Sequence, residues 1–287
     1  MNFWQSLYHL LGQEKVAQPH QIRHFHSAHL GREVAVDVYL PPGYKQSPWR
    51  RYPLVLFNDG QDLPRMNFTY ILDALYGQKK IPPMIVAGIY CGHDRHREYG
   101  TLRQADYKGR GDRAPQYRDF ILQEMLPLLN RRFRSSQQAE ETVFAGFSLG
   151  GLSAFDLAWA HPDVFGGAGV FSGALWWRWS PVHPMHPDSD RIMHDVVLRT
   201  AQPPQHQRFW FQAGTQDELE DRNNNGVIDA IDDTLDLMKC LRERGLRDAQ
   251  LRYLEIEGGR HEPQTWGEAM PDFLDWITST VSLGASQ

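Results

Sequence analysis

The sequence predicts an α/β protein built on a mostly parallel sheet with helices on both faces. Three observations carry this. Several strand-like runs, among them Leu54–Phe57 and Thr142–Phe147, are continuously apolar rather than alternating, the pattern of strands buried on both faces. These runs alternate along the chain with stretches of helical period. One run passes through Gly-x-Ser-x-Gly directly into a helix.

Taken in order, Phe3, Trp4, Leu7, Leu10 and Leu11 predict a short amphipathic helix over 3–11. It must cover something apolar, either the body of the protein or a second subunit, which leaves a homo-oligomer open. Two alternating runs, Gln21–His29 and Glu33–Leu40, flank a Leu30-Gly31-Arg32 turn and end at Pro41-Pro42-Gly43. They are expected to form an antiparallel edge. Parallel strands follow at 52–57, 84–90, 142–147, 167–171, 208–213 and 249–256. Helices are expected near 68–77, 114–132, 150–160, 189–200, 232–244 and 266–280. No linker, repeat or low-complexity tract divides the chain, so residues 1–287 read as a single domain. The irregular, proline- and histidine-bearing stretch 176–207 reads as a lid-like insertion after a strand end.

Composition narrows the function classes. A net charge of −5 excludes a whole-chain cationic footprint for nucleic acid. No apolar run reaches membrane-spanning length, and the N-terminus lacks the pattern of a signal peptide. Two cysteines, Cys91 and Cys240, exclude a disulfide-dense scaffold and read best as free thiols. The expectation is a cytoplasmic protein with a small-molecule partner and no membrane or nucleic-acid role. Its nine Trp and eleven Tyr are enough to line a cleft.

The string Gly146-Phe147-Ser148-Leu149-Gly150-Gly151 joins a strand to a helix. Such a turn holds a serine in a strained conformation at the sheet's carboxyl edge, and the glycines let strand and helix approach. Ser148 is therefore the candidate nucleophile, and the Leu149 N–H a candidate oxyanion donor. A serine needs a base. His261 follows the last strand run and precedes the last helix, so it points back over the same edge. The acid should follow the preceding strand, where Asp217 stands, with Glu218 as the alternative. The order Ser148, Asp217, His261 is that of α/β-hydrolases. The second oxyanion donor should lie in Asn58-Asp59-Gly60-Gln61-Asp62, where the Gln61 N–H is the choice.

A second motif lies beside the acid. Asp221, Asn223, Asn225, Gly226, Val227, Asp229 and Asp232 fall at positions 1, 3, 5, 6, 7, 9 and 12 of an EF-hand-like loop. That spacing predicts a structural calcium ion held by the oxygens of Asp221, Asn223, Asn225, Val227, Asp229 and Asp232. Asp232 stands where an EF-hand has a bidentate Glu and reaches less far. The structural alternative is an Asx-rich turn capping the next helix. Four histidines, His183, His186, His194 and His206, have no metal-site spacing.

Several strings together resemble the putative esterase family of α/β-hydrolases, which includes esterase D, feruloyl esterases and ferric enterobactin esterase. They are Val38-Tyr39-Leu40-Pro41-Pro42-Gly43-Tyr44, Asp59-Gly60-Gln61, the serine turn, Ser172-Gly173-Ala174-Leu175-Trp176-Trp177, and His261 with Trp266. The Asp59-Gly60-Gln61 loop lacks the His-Gly of other members. The resemblance covers most of the chain and implies an α/β-hydrolase fold and hydrolysis of carboxylic esters. Arg97-Glu98-Tyr99-Gly100 also resembles a family segment near the cleft. Arg97 and Tyr99 read equally as substrate contacts or as an ion pair and a packed ring. Trp176 and Trp177 read as the floor of an aromatic or acyl pocket or as core. The resulting expectation is a serine carboxylesterase without an organic cofactor. An acyltransferase or thioesterase, or a non-catalytic binding protein with a calcium-stabilised loop, are the rivals.

Overall fold

The computed structural model describes residues 16, 18–204 and 206–279. The helix expected over 3–11 lies outside them. Among the described residues eight strands form one sheet: β1 (His20–Ser27), β2 (Arg32–Tyr39), β3 (Leu54–Asn58), β4 (Ile85–Ile89), β5 (Thr142–Phe147), β6 (Gly167–Phe171), β7 (Arg208–Gln216) and β8 (Leu251–Arg260). Their order is β1-β2-β4-β3-β5-β6-β7-β8. The first two strands pair antiparallel with each other, and β2 pairs antiparallel with β4. From β4 onward every pairing is parallel. The predicted parallel sheet with its antiparallel N-terminal edge is what forms.

The continuous apolar strands are explained by two cores. Leu54 and Leu56 point into one, with Val36, Phe144 and Phe155. Val55 and Phe57 alternate with them and point into the other, with Phe147, Phe171 and Trp210. Helices α1 (Phe68–Gly77), α2 (Arg95–Glu98), α3 (Ala114–Asp119), α4 (Leu126–Arg132), α5 (Leu149–Ala160), α6 (Ile192–Arg199), α7 (Asp229–Glu243) and α8 (Pro263–Thr278) cover the sheet. In α5 every residue from Leu149 to Trp159 is buried, so this helix carries no amphipathic stripe.

Three differences from the expectation matter. The helix expected over 114–132 is α3 and α4 joined by a π-helical segment, Phe120–Met125. Pro127 has no N–H to give and crowds the carbonyl four residues back, so the chain before it winds wider. Helix α7 begins at Asp229, so both Asp229 and Asp232 lie in its first turn. Strands β7 and β8 run to Gln216 and Arg260, beyond their apolar stretches. Within 176–207, α6 is regular. The irregular excursion is closed at its base by an Arg178–Arg191 bridge, and Arg178 donates to the carbonyls of Pro187 at 3.0 Å and Ser189 at 3.1 Å.

Candidate active site

Ser148 sits between β5 and α5 with φ 55° and ψ −124°, a strained conformation for a residue with a Cβ. Its N–H donates to the Phe171 carbonyl at 2.8 Å, which ties the turn to the neighbouring strand. The flanking glycines are steric necessities. A Cβ on Gly146 would lie 2.5 Å from the Gly150 carbonyl group, and one on Gly150 would lie 2.5 Å from Asp59 Oδ2. At the start of α5 the N–H groups of Gly151 and Leu152 turn back to the Ser148 carbonyl at 3.0 and 3.2 Å, whereas the Leu149 N–H, at the first position, has no acceptor within the helix.

Asp217 and His261 are brought together by register. Gln216 on β7 pairs with Arg260 on β8, and the strands are parallel. The next residue of each is Asp217 and His261. Between them the charges act on each other: the Asp217 carboxylate raises the His261 pKa and the imidazole lowers that of Asp217. Burial outweighs both. It holds His261 below its usual 6.5, with Arg95 adding to the depression, and holds Asp217 above the usual carboxylate range. Gly214 N–H donates to Asp217 Oδ2 at 3.0 Å, and Asp217 Oδ1 is buried with no hydrogen-bond partner among the described residues. Glu218 turns away. It is pushed up to about 7 by burial and by Asp229, and meets the Ala230 N–H at the start of α7.

His261 reaches the serine turn through Trp266. The imidazole packs edge-on against the Trp266 ring, centroids 5.5 Å apart, and that ring stacks on Phe147 at 4.8 Å. Phe147 immediately precedes Ser148. The Trp266 indole N–H donates to Ser172 Oγ at 3.0 Å. His261 keeps an edge open to solvent. No hydrogen bond joins Ser148 to His261 in this structure. Contacts of this kind are commonly long before substrate arrives.

The loop after β3 packs against the start of α5. Asn58 Nδ2 donates to the Gly150 carbonyl at 2.9 Å, and Tyr117 hydroxyl donates to Asn58 Oδ1. A Cβ on Gly60 would lie 2.2 Å from the Gly88 carbonyl carbon, so only glycine fits there. Gln61 Oε1 accepts the Cys91 N–H at 3.2 Å, which fixes the loop. Both cysteines are free.

Sequence reasoning missed Arg95. Its guanidinium makes two hydrogen bonds to Asp59, 2.8 and 2.7 Å, and a longer one of 3.4 Å to the Phe147 carbonyl. The residue chosen from sequence, Arg97, lies outward on α2 and pairs with Asp112 at 2.6 Å. Two residues along a helix is about 200° of rotation, so one arginine faces the site and the other faces water. Tyr99 is fully buried, with its hydroxyl accepting the Asp59 N–H at 3.3 Å. Trp177 is also fully buried. Neither presents surface to a ligand, so of these expected substrate contacts both are core. Trp176 is half-buried beneath Arg110, whose guanidinium lies 5.0 Å from its ring centroid.

The 221–232 loop folds tightly around its own oxygens. Asp221 accepts the N–H groups of Asn225 at 3.1 Å and Gly226 at 2.9 Å, and Asn225 Nδ2 donates to Asp232 at 2.7 Å. Gly226 has φ 87°. Asp229 is instead engaged by Arg222, through its backbone N–H at 2.9 Å and its side chain at 3.2 Å. Among the described residues no group of three His, Cys, Asp or Glu is arranged to hold a metal ion. His194 Nε2 donates to the Asp233 carbonyl at 2.9 Å, and burial lowers its pKa to about 3.

A parallel sheet of this order, with a strained serine turn at its centre and an acid and histidine on adjacent strand ends, defines the α/β-hydrolase class. Residues 27–277 match the model of the family described as "Putative esterase". The chain belongs to that family, and with it to the carboxylic ester hydrolases. An uncharacterized protein of Bacillus subtilis is 22% identical over 255 residues, spanning 88% of this chain and 95% of the relative. The iron(III) enterobactin esterase of Escherichia coli K12 is 31% identical over 129 residues, which is 44% of this chain and 29% of that enzyme. Among solved structures, the enterobactin esterase of Shigella flexneri superposes with a TM-score of 0.72 at 20% identity, covering 94% of this chain and 61% of that one. A ferulic acid esterase gives 0.68 at 17% identity, covering 92% and 99%. No helix among the described residues is long and apolar enough to cross a membrane.

Proposed function

We propose that this chain is a serine carboxylesterase that works through an acyl-enzyme. The observation that carries the reading is the Gln216–Arg260 register, which sets Asp217 beside His261 at the edge where Ser148 stands strained. In this reading Ser148 Oγ attacks the ester carbonyl as His261 takes its proton. Asp217 Oδ1 accepts the other imidazole N–H, and Glu218 does not take part. The N–H groups of Leu149 and Gln61 hold the developing oxyanion. His261 returns the proton to the departing alcohol, and water repeats the sequence to release the acid. Trp176 and Arg95 border the acyl pocket. The free thiols of Cys91 and Cys240 suit a reducing compartment, and we place the enzyme in the cytoplasm.

A fluorophosphonate probe tests the nucleophile. It is expected to label the wild type and not Ser148→Ala, and p-nitrophenyl esters are expected to lose turnover in the same variant. Equal labelling of both sinks the assignment; no labelling of the wild type favours a binding protein. Product analysis with added alcohols separates the hydrolase from an acyltransferase.

The same proposal gives the 221–232 loop a structural calcium ion, held by Asp221, Asn223, Asn225, the Val227 carbonyl and Asp232, with Asp229 released from Arg222 or reaching through water. The full oxygen spacing and the positive φ of Gly226 support it, and the Asp229–Arg222 pairing counts against a direct sixth ligand. A chelator is expected to lower the melting temperature, and added calcium to restore it; identical melting curves remove the ion.

A further inference from the structure

A cavity of about 310 Å³ opens between α5, α6 and the loop after α2, lined by Leu102, Arg103, Asp156, Trp159, Val196 and Thr200. Its wall is mostly apolar, with Arg103, Arg199 and Thr200 toward the rim and Asp156 the one carboxylate. Asp156 is 4% exposed, and its Oδ2 accepts the Leu102 N–H at 2.8 Å. Among the described residues no cation pairs with it. The two arginines at the rim are already engaged: Arg103 Nη1 lies 3.1 Å from Asp195 Oδ2, and Arg199 bonds the other oxygen of the same carboxylate. Burial accordingly pushes the Asp156 carboxyl up to about 7, and the Leu102 N–H offsets only part of that. Buried carboxylates are normally paired or bound to a cation.

We propose that this cavity is a second ligand site, separate from the Ser148 cleft, that takes a small organic amine with its protonated nitrogen on Asp156 and its apolar body against Trp159. Asp156 is eight residues along α5 from Ser148, roughly 12 Å at 1.5 Å per residue, so the amine does not enter the esterase site. An ammonium supplies the missing counter-charge. The Trp159 ring, packed on Phe155 and Phe209, forms part of the cavity's apolar wall, and its N–H is already spent on Thr200 Oγ1 at 2.9 Å. An anion is disfavoured, because Asp156 repels it and both rim arginines are committed to Asp195.

The inference does not depend on the proposed catalytic roles. Calorimetric titration of the full chain with benzylamine at pH 7, in two buffers of different ionisation enthalpy, tests it. Saturable binding is expected, with proton release that makes the observed heat buffer-dependent. Benzyl alcohol, of the same shape without the charge, is expected to bind at least about tenfold more weakly, a loss of about 1.4 kcal/mol. Asp156→Asn is expected to weaken benzylamine by a similar factor. Val196→Phe, which narrows the cavity, is expected to abolish binding while leaving p-nitrophenyl acetate hydrolysis unchanged. The inference is overturned by the absence of saturable binding, by equal affinity for amine and alcohol, by an unaltered affinity in Asp156→Asn or Val196→Phe, or by competition between benzylamine and the ester. Should Asp156→Asn fail to fold, the alcohol comparison, the proton release and Val196→Phe still decide.

Discussion

Replacing Asp59 with Asn removes one charge and little else. The residue sits at φ 59°, where Asn is also tolerated, so the substitution adds no backbone strain. What it removes is the partner of Arg95. Asp59 is 1% exposed, and the Arg95 side chain keeps 24% of its surface in water. Burial pulls the Arg95 pKa down, and the bonds and charge of Asp59 more than offset that, so the guanidinium ends above its usual value. Breaking a fully buried pair by deleting one member costs about 3–5 kcal/mol. Because Arg95 retains some water and the Phe147 carbonyl, about 2–3 kcal/mol is expected here. For a chain of this size that is a fall in Tm of several degrees, about 2–4 °C per kcal/mol. A kinetic signature accompanies it. With its counter-charge gone, Arg95 bears more strongly on His261, whose pKa it already lowers. The acid limb of kcat/KM should move to lower pH. Urea unfolding and the pH–rate profile measure the two effects, and Asp59→Asn combined with Arg95→Met gives the coupling energy. A stability loss below about 0.5 kcal/mol with an unmoved acid limb would refute the reasoning.

Two further outcomes are expected. Burial holds Asp156 at about 7 in the folded chain against 3.8 for the free side chain, so the native state binds the extra proton between those values and wild-type stability falls as pH rises through that window. Asp156→Asn escapes this; its advantage in urea unfolding should grow from pH 4 to pH 7, reach on the order of 3–4 kcal/mol, and level off above. Parallel pH curves for the two proteins would contradict it. Separately, Arg95→Gln removes a charge that lowers the His261 pKa. The acid limb of kcat/KM, expected below 6.5 in the wild type, should rise toward that value; a shift downward would place the limb on another group.

The sheet was legible because its strands are buried on both faces and therefore apolar throughout, as in Leu54–Asn58 and Thr142–Phe147. The serine turn was legible because sterics leave glycine alone at 146 and 150. The ends of β7 and β8 were not, since Thr215, Gln216 and Glu257 are polar, and the Gln216–Arg260 pair forms only after a register shift beyond Gly214. That hidden pairing is what brings Asp217 to His261. Arg95 was missed for a rotational reason: four residues, Arg95–Glu98, are too few to show helical period, yet one turn decides which arginine faces inward. Tyr99 and Trp177 could not be told from cleft aromatics, because a ring beneath a cleft and a ring lining it have the same composition.

Strand β8 lies at the border of the sheet and exposes half its residues, while β5 lies in the middle with none exposed. The proposed base is thus hung from the molecule's hem and the proposed nucleophile from its spine. Warming should loosen the hem first, so the enzyme can fall silent while its interior tryptophans still report an intact body, and recover on cooling without ever having come apart.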